Sequence, residues 1–452
     1  MMKIIIACKL LLRESLKNNL PILSVSFAPL LRSSYPHYAR HNSGLSALQK
    51  TKIILLSLGT LFISGSLTLP FLIIFSSCGQ KNEISPLINL YTLNIDYMDI
   101  ILANEKVEMT LREEFNNEEN SYDGKIERRG GYSIVYPKHS YEIDLVADVS
   151  IANLPADDDW ILNANYIDKT FLRHVISYEL FHEMHTNNRA SKCKYVELKL
   201  NDSYNGLYVL MEKLDRSSLR VNKHDTSAVI FKEPHIFRPE YDNVIPQDPD
   251  NFHQQKFPKI EDNDKTYFIE EIRDFILNSS DSIFNEEIGN AFDIQSVIDW
   301  NLLLLITNNS DGILKNFYLY KIDTNTPLRI APWDYDHSFG RDGDNELNLV
   351  NPLDLNRSIL FLRLLKLEWY KTKLKARWTE LNDLNLLSST GLKNRIAMKK
   401  MAIENLANKN FELWPVNSQW YYDENNFGAE IQIMYQFIDI RHEQLSDYFN
   451  SF

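Results

Sequence analysis

Asn308–Gly340 reads NNSDGILKNFYLYKIDTNTPLRIAPWDYDHSFG, and its polarity pattern decides how the chain is organised. A polar loop gives way to an apolar and aromatic run at Phe317–Ile322, a tight turn follows, a second run occupies Leu328–Ala331, and another polar loop ends the stretch. The two runs predict a β-hairpin, and a hairpin returns its ends to one place. Asp311 and Asn316 before it are therefore expected beside Asp334 and Asp336 after it, although Asp311 and Asp334 are 23 positions apart. Converging carboxylates and an amide make a divalent-cation site chemically reasonable. The competing reading is that Asp311, Asn316 and Asp334 are turn and cap residues bonded to their own backbone.

The rest of the chain surrounds this hairpin with two kinds of pattern. From Ile84 to about Val149, short alternating segments (NLYTLNIDYM, KVEMTLREEF, GKIERRGGYSIVYPKHSYEIDLV) predict strands. Asp168 is read as the cap of an amphipathic helix carrying Phe171, Leu172, Val175, Ile176, Phe181 and Met184. Lys192–Glu212 reads as a second hairpin turning through DSYNG. Residues 235–265, rich in Pro, Asp and Asn, read as a loop at a lobe boundary, with helices expected at Tyr267–Leu277, Ile294–Thr307 and through most of residues 356–449. The residues themselves thus support a two-lobed α+β protein with a cation site.

Composition narrows the partners. The 452 residues hold 61 acidic and 48 basic side chains, a net −13, without the basic footprint of a nucleic-acid binder. Three Cys build no disulfide framework, and Cys193 is expected as a buried apolar residue rather than a redox centre. Eight Lys/Arg and one acid fall in the first 77 residues, so residues 78–452 carry 40 basic against 60 acidic groups, a net −20. Lys50 and Lys52 precede the uncharged run Ile53–Ser77, which stops at Cys78-Gly79. A basic flank, an apolar run and small residues at the junction predict an export signal. The junction resembles a lipoprotein box, with Cys78 as the lipidated residue and Phe75 departing from the usual aliphatic residue; the alternative is a membrane-spanning helix. Either reading puts the following chain on the extracytoplasmic face, anchored to the membrane.

Asp311-x-x-x-x-Asn316 has the spacing of a protein-kinase catalytic loop, with a metal-binding Asp beyond a β-hairpin. Together with RRGGYSIVYPKHSYEIDL (128–145), DKTFLRHVISYEL (168–180) and LKLNDSYNGLYVLMEKLD (198–215), this stretch resembles the CotH spore-coat kinase family. The resemblance implies an atypical protein-kinase-like fold, with a β-rich N-lobe at 86–222 and a mainly helical C-lobe at 223–452 that holds the catalytic loops at 308–340. Residues 1–77 would be extension and signal, and 78–85 a linker. It further implies ATP with Mg²⁺ or Mn²⁺ as cofactors and Ser or Thr of a partner protein as acceptor.

Carried onto this sequence, Asp311 matches the catalytic acid, Asn316 and Asp334 the metal ligands with Asp336 beside them, and Lys138 the lysine that contacts phosphates. His139 stands where the family has a second Lys, and the phosphate loop reads Arg129-Gly130-Gly131-Tyr132-Ser133. Gly130 and Gly131 let backbone N–H groups approach a nucleotide. Trp333 either stacks on adenine or belongs to the core. Glu179, Glu183 and Glu212 are the candidates to pair with Lys138, each with a surface ion pair as its alternative. His182 and His185, three apart, do not form a zinc motif and are expected on an exposed helix face, while His337 beside Asp336 either touches the site or is merely solvated in its loop. Lys138, Arg173 and the cation are expected to supply the positive charge an ATP site needs in an acidic protein, which makes nucleotide binding metal-dependent. Two other readings share these residues: a surface protein whose acidic loops hold Ca²⁺ without catalysis, and a pseudokinase.

Overall fold

The computed structural model describes residues 90–241, 244–416 and 423–452, and the expectations for the signal, the lipidated Cys78 and the linker lie outside them. Among the described residues no helix is long and apolar enough to cross a membrane. The fold is α+β, strand-rich in its first part and helical in its last.

Seven strands, β1 (Tyr91–Tyr97), β2 (Val107–Phe115), β3 (Glu118–Arg129), β4 (Ser140–Val149), β5 (Asp157–Asn163), β6 (Cys193–Leu200) and β7 (Ser203–Glu212), close into a barrel. Their order is β1-β2-β3-β4-β5-β7-β6, and parallel pairing of β1 with β6, Leu93 opposite Leu198, completes the circle. Alternation selects the inward residues, as with Val107, Met109 and Leu111 on β2. On β7 both faces are buried: Tyr208 and Leu210 point into the barrel, while Leu207, Val209 and Met211 join a second core outside it. No strand edge among these seven is left unpaired.

The β6–β7 turn falls at Asn201–Asp202 rather than across DSYNG. Both residues have positive φ (47° and 63°), as a two-residue hairpin turn of matching twist requires. Gly206 instead marks the register shift that follows Leu198, at φ 108°. A Cβ there would lie 2.5 Å from Asn410 Oδ1.

Between β5 and β6 runs α1 (Arg173–Met184). It begins four residues later than expected and is buried on most sides rather than amphipathic. Asp168 anchors rather than caps it, accepting from the N–H groups of Thr170 (3.0 Å) and Arg173 (3.2 Å). A second sheet, ordered β11-β10-β8-β9, comprises β8 (Val229–Lys232), β9 (Gln255–Phe257), β10 (Phe317–Lys321) and β11 (Arg329–Pro332). The 235–265 stretch is therefore not loop alone, since it supplies the edge strand β9, too short to show alternation.

The helices α2 (Thr266–Asn278), α3 (Asp281–Ala291), α4 (Ile294–Thr307), α5 (Ile359–Leu364), α6 (Glu368–Asp383), α7 (Ser389–Leu413) and α8 (Phe427–Asn450) complete the described chain. At their centre lies α4, buried from Ser296 to Thr307 and ended by Asn308 in the left-handed conformation.

Candidate functional site

The end of α4 delivers the chain into the first acidic loop. Buried Asn309 bonds Gly312 N–H through Oδ1 (2.9 Å), and a single turn of 3-10 helix begins at Asp311. Asp311 pairs with Lys315 (2.9 Å). Asn316, at φ 61°, turns the chain into β10, and β10 pairs with β11 from Phe317 opposite Pro332. The hairpin then releases Trp333 and Asp334, the latter at φ 57°.

Three groups hold the Asp334 backbone. Its N–H donates to the Tyr178 hydroxyl (2.9 Å), and its carbonyl accepts from Asn316 Nδ2 (2.8 Å) and Asn309 Nδ2 (3.3 Å). Asn316 thus spends an N–H on the clamp, and its amide oxygen is not used in that bond. The Asp334 carboxylate stays half open to the cleft and lies 3.3 Å from Nε2 of buried His174 on α1. His174, Asp334 and Asp336 each offer a donor atom, and these atoms lie within 4.8 Å of one another. Donors about 2.1 Å from one octahedral cation sit about 3 Å apart when adjacent and about 4.2 Å when opposite, a span near the 4.8 Å within which these three lie.

Electrostatics separates the two carboxylates. Partial burial would raise the Asp334 pKa, but the hydrogen bond from His174 and the positive charges of His174, His337 and Lys232 hold it below the usual carboxylate range. Burial and the Asp334 charge push Asp336 up, with His337 offsetting part of the rise. Burial opposes protonation of His174, yet the Asp334 hydrogen bond and nearby carboxylates raise its pKa. A second acidic group, Glu142, Asp144 and Asp159, sits on the barrel wall and is already served by Lys213 and Lys106.

All eight residues nominated from sequence line one cleft of about 840 Å³. Asp311, Asn316, Trp333, Asp334 and Asp336 line it from the two ends of the β10–β11 hairpin, and Gly130, Gly131 and Lys138 from the β3–β4 connection. That volume is within the ordinary range for a small-molecule site, roughly 300–1,000 Å³. Gly130 has φ 133°, and a Cβ on Gly131 would meet nothing within 4 Å, so the turn opens backbone toward the cleft. Trp333 is both lining and core: 6% exposed, edge-on to Tyr318 (5.8 Å between centroids), with Arg129 and Lys232 each 5.6 Å from its ring centroid.

Several expectations require correction. Lys138 precedes β4 and is no solvated strand lysine: it is 1% exposed, its ammonium donating to the carbonyls of Ala164 (2.8 Å) and Leu207, with the Tyr208 ring 4.1 Å away. Burial pushes its pKa well below the usual lysine value. None of the proposed glutamates pairs with it. Glu179 and Glu183 reach across to Arg395 on α7, Glu179 also to Lys399, and Glu212 bonds Lys192. Arg173 does not charge the cleft either, because Asp168 (2.6 Å) and Glu430 (3.1 Å) neutralise it in the interior.

His182 and His185 differ from expectation as well. His182 is half-buried on the Ala190 carbonyl (2.6 Å), and His185 lies just past the end of α1. His337 is half-buried at the cleft, with Nε2 lacking a hydrogen-bond partner. Cys193 is half-buried, its thiol pKa pushed up by burial, as expected of an apolar residue. His174 was the residue that sequence reading passed over. Its signal lay in a helix whose Arg173, His174, Ser177 and Tyr178 are polar yet buried, since such groups need partners and so point to a site.

An α+β protein with a barrel wall, a glycine turn and a group of two carboxylates and an imidazole lining one cleft is the class these features define. The family model for CotH kinase protein matches residues 126–445, and the chain belongs to that family. Inner spore coat protein H of Bacillus subtilis (strain 168) is 23% identical over 221 residues, 49% of this chain and 60% of the relative's own length. The match therefore spans less than two thirds of that relative.

Proposed function

We propose that the protein is a phosphotransferase of two-lobed, protein-kinase-like design, dependent on ATP and Mg²⁺ or Mn²⁺, that modifies Ser or Thr of partner proteins at a cell or spore surface. The lobes would divide near residue 222, and an N-terminal lipid or helix would anchor the protein to the membrane. One observation carries the reading: Asp311, Asn316, Asp334 and Asp336 share a cleft with the Gly130–Gly131 turn. In this reading the acceptor hydroxyl oxygen bonds to the γ-phosphorus, the bond from that phosphorus to the β–γ bridging oxygen breaks, and ADP departs. Asp311, steadied by Lys315, takes the hydroxyl proton. Asp334, Asp336 and the Asn316 oxygen would hold the cation, whose charge would offset that of the phosphates.

The test is transfer of label from γ-labelled ATP by the full chain with Mg²⁺ or Mn²⁺, to itself or to surface proteins. Asp334→Ala and Asp311→Asn should abolish transfer while the far-UV dichroism stays unchanged. Absence of transfer by the unaltered chain across several acceptors and both metals would sink the proposal. One feature favours nucleotide binding without turnover as a second reading: the Lys138 ammonium is engaged by two backbone carbonyls instead of facing the cleft. Stable ATP binding without transfer would select it.

A further inference from the structure

We propose that the polyphosphate of a bound nucleoside triphosphate is gripped by Lys232 and Arg129, the two cations stationed over the Trp333 ring, and that Lys138 serves the barrel wall instead. The inference rests on the nucleotide reading above and says which side chains make its anion contacts. It begins with Lys138. An ammonium that donates to Ala164 and Leu207 carbonyls and is 1% exposed must break both bonds and leave its aromatic neighbours to reach an anion.

Lys232 is placed differently. It ends β8, pairs across to Tyr318 through the backbone, and lines the cleft. Among the described residues no carboxylate lies within ion-pair distance of its ammonium, although the chain is strongly acidic. An unpaired lysine at such a position has its charge available for a ligand. Asp334, the residue after Trp333, lines the same cleft. The Lys232 ammonium lies 5.6 Å from the centroid of the Trp333 ring, at the same side of the cleft as that residue.

Arg129 supplies the second contact. It ends β3, directly before Gly130, and lines the same cleft. Its Nε is buried without a hydrogen-bond partner, and Glu142, 3.8 Å away, is already held by Lys213 at 2.7 Å. A guanidinium with spare donors beside a glycine turn suits bidentate contact with phosphate oxygens. The Trp333 ring fixes both cations by cation–π attraction, which positions charge without neutralising it.

The experiment measures binding of ATP and of inorganic tripolyphosphate, each with excess Mg²⁺, to the full chain by calorimetry. Lys232→Met and Arg129→Met are each expected to weaken both ligands by about tenfold or more, as loss of a charge-assisted contact does. Lys232→Arg, which keeps the cation, should retain binding and so rule out a folding defect. Lys256→Met, the same charge change on exposed β9 outside the cleft, should stay within about twofold of the unaltered chain, separating local contact from the general field. Unaltered affinity in Lys232→Met, with the parent chain binding ATP, overturns this assignment and leaves the kinase reading standing. A loss confined to ATP also overturns it, because the contact would then be to the nucleoside. No binding of ATP by the parent chain overturns both.

Discussion

His174 Nε2 lies 3.3 Å from Asp334 Oδ1, which puts an imidazole within the carboxylate group that faces the cleft. A nitrogen donor changes which ion the site prefers. Mg²⁺ favours oxygen and water, whereas imidazole suits later transition metals, and affinity rises from Mn²⁺ onward. The chain should bind Mn²⁺ more tightly than Mg²⁺, with nitrogen modulation in the electron spin echo of bound Mn²⁺. His174→Ala should remove that modulation and weaken Mn²⁺ more than Mg²⁺. Equal loss for both ions would show that His174 only orients Asp334.

The ion pairs of Arg173 make a separate prediction, about folding. Arg173 and Glu430 are both unexposed, and Arg341 also donates to Glu430 (Nε to Oε2, 3.2 Å), so the carboxylate ties α1 and the loop after Asp336 to α8. Glu430→Gln removes the carboxylate that the two buried guanidiniums share and leaves each with one acid, Asp168 for Arg173 (2.6 Å) and Asp423 for Arg341 (2.6 Å), at a cost of about 1.5–3 kcal/mol. Denaturant unfolding of the full chain measures it, and a loss below about 0.5 kcal/mol would mean water relieves the arginines.

Acid should act through the same group. Burial alone would raise the Glu430 pKa, but Arg173 and Arg341 hold it down at about 2, against an ordinary value of 4.5. A depressed carboxyl pKa stabilises the fold above the unfolded-state value, and that stability is lost as pH falls from 4.5 toward 2. The thermal midpoint should drop across this window in the parent chain and drop less in Glu430→Gln. Parallel curves would assign acid sensitivity elsewhere.

Gly206 sets how closely the barrel approaches α7. Asn410 Oδ1 accepts from Leu207 N–H at 3.1 Å and occupies the space a Cβ would need. Gly206→Ala adds left-handed strain, roughly 1–2 kcal/mol, and displaces that amide. Asn410→Ala should cost about 1–3 kcal/mol by leaving the buried N–H unpaired. If the double variant is no worse than Gly206→Ala alone, the two act through one contact; strict additivity would refute the link.

At Asn316 the backbone and the amide can be tested apart. Asn316→Gly keeps the positive φ but loses the donor to Asp334, while Asn316→Ala loses both. Ala should be the less stable by about 1 kcal/mol in thermal unfolding, and both should weaken Mn²⁺ binding alike. Unchanged metal affinity in both variants would remove Asn316 from the site.

The strands, the hairpin ends and their acidic residues were legible because period-two alternation and turn residues are local signals. The closure of β1 on β6 was not, since parallel pairing between residues about a hundred positions apart leaves no local trace. Lys138 was assigned by its place in a motif, but motif position says nothing of whether an ammonium faces a cleft or a carbonyl. Arg173 misled for the same reason, because its partner Glu430 lies at the other end of the chain. Asn201–Asp202 was hidden by the more conspicuous NG two residues later, where Gly206 meets a packing demand instead.

The β1–β6 pairing also constrains the order in which the barrel forms during synthesis. β1 emerges first yet has no parallel neighbour until β6 is made, and four strands and a helix must be produced in between. Until then Leu93 and Ile95 belong to a strand paired on one side only, and the barrel interior stays open to solvent. Such long-range closure slows folding and prolongs exposure of an aggregation-prone edge. An assisting chaperone would act on this chain during the interval between β2 and β6, before the glycine turn and the acidic loops can face each other.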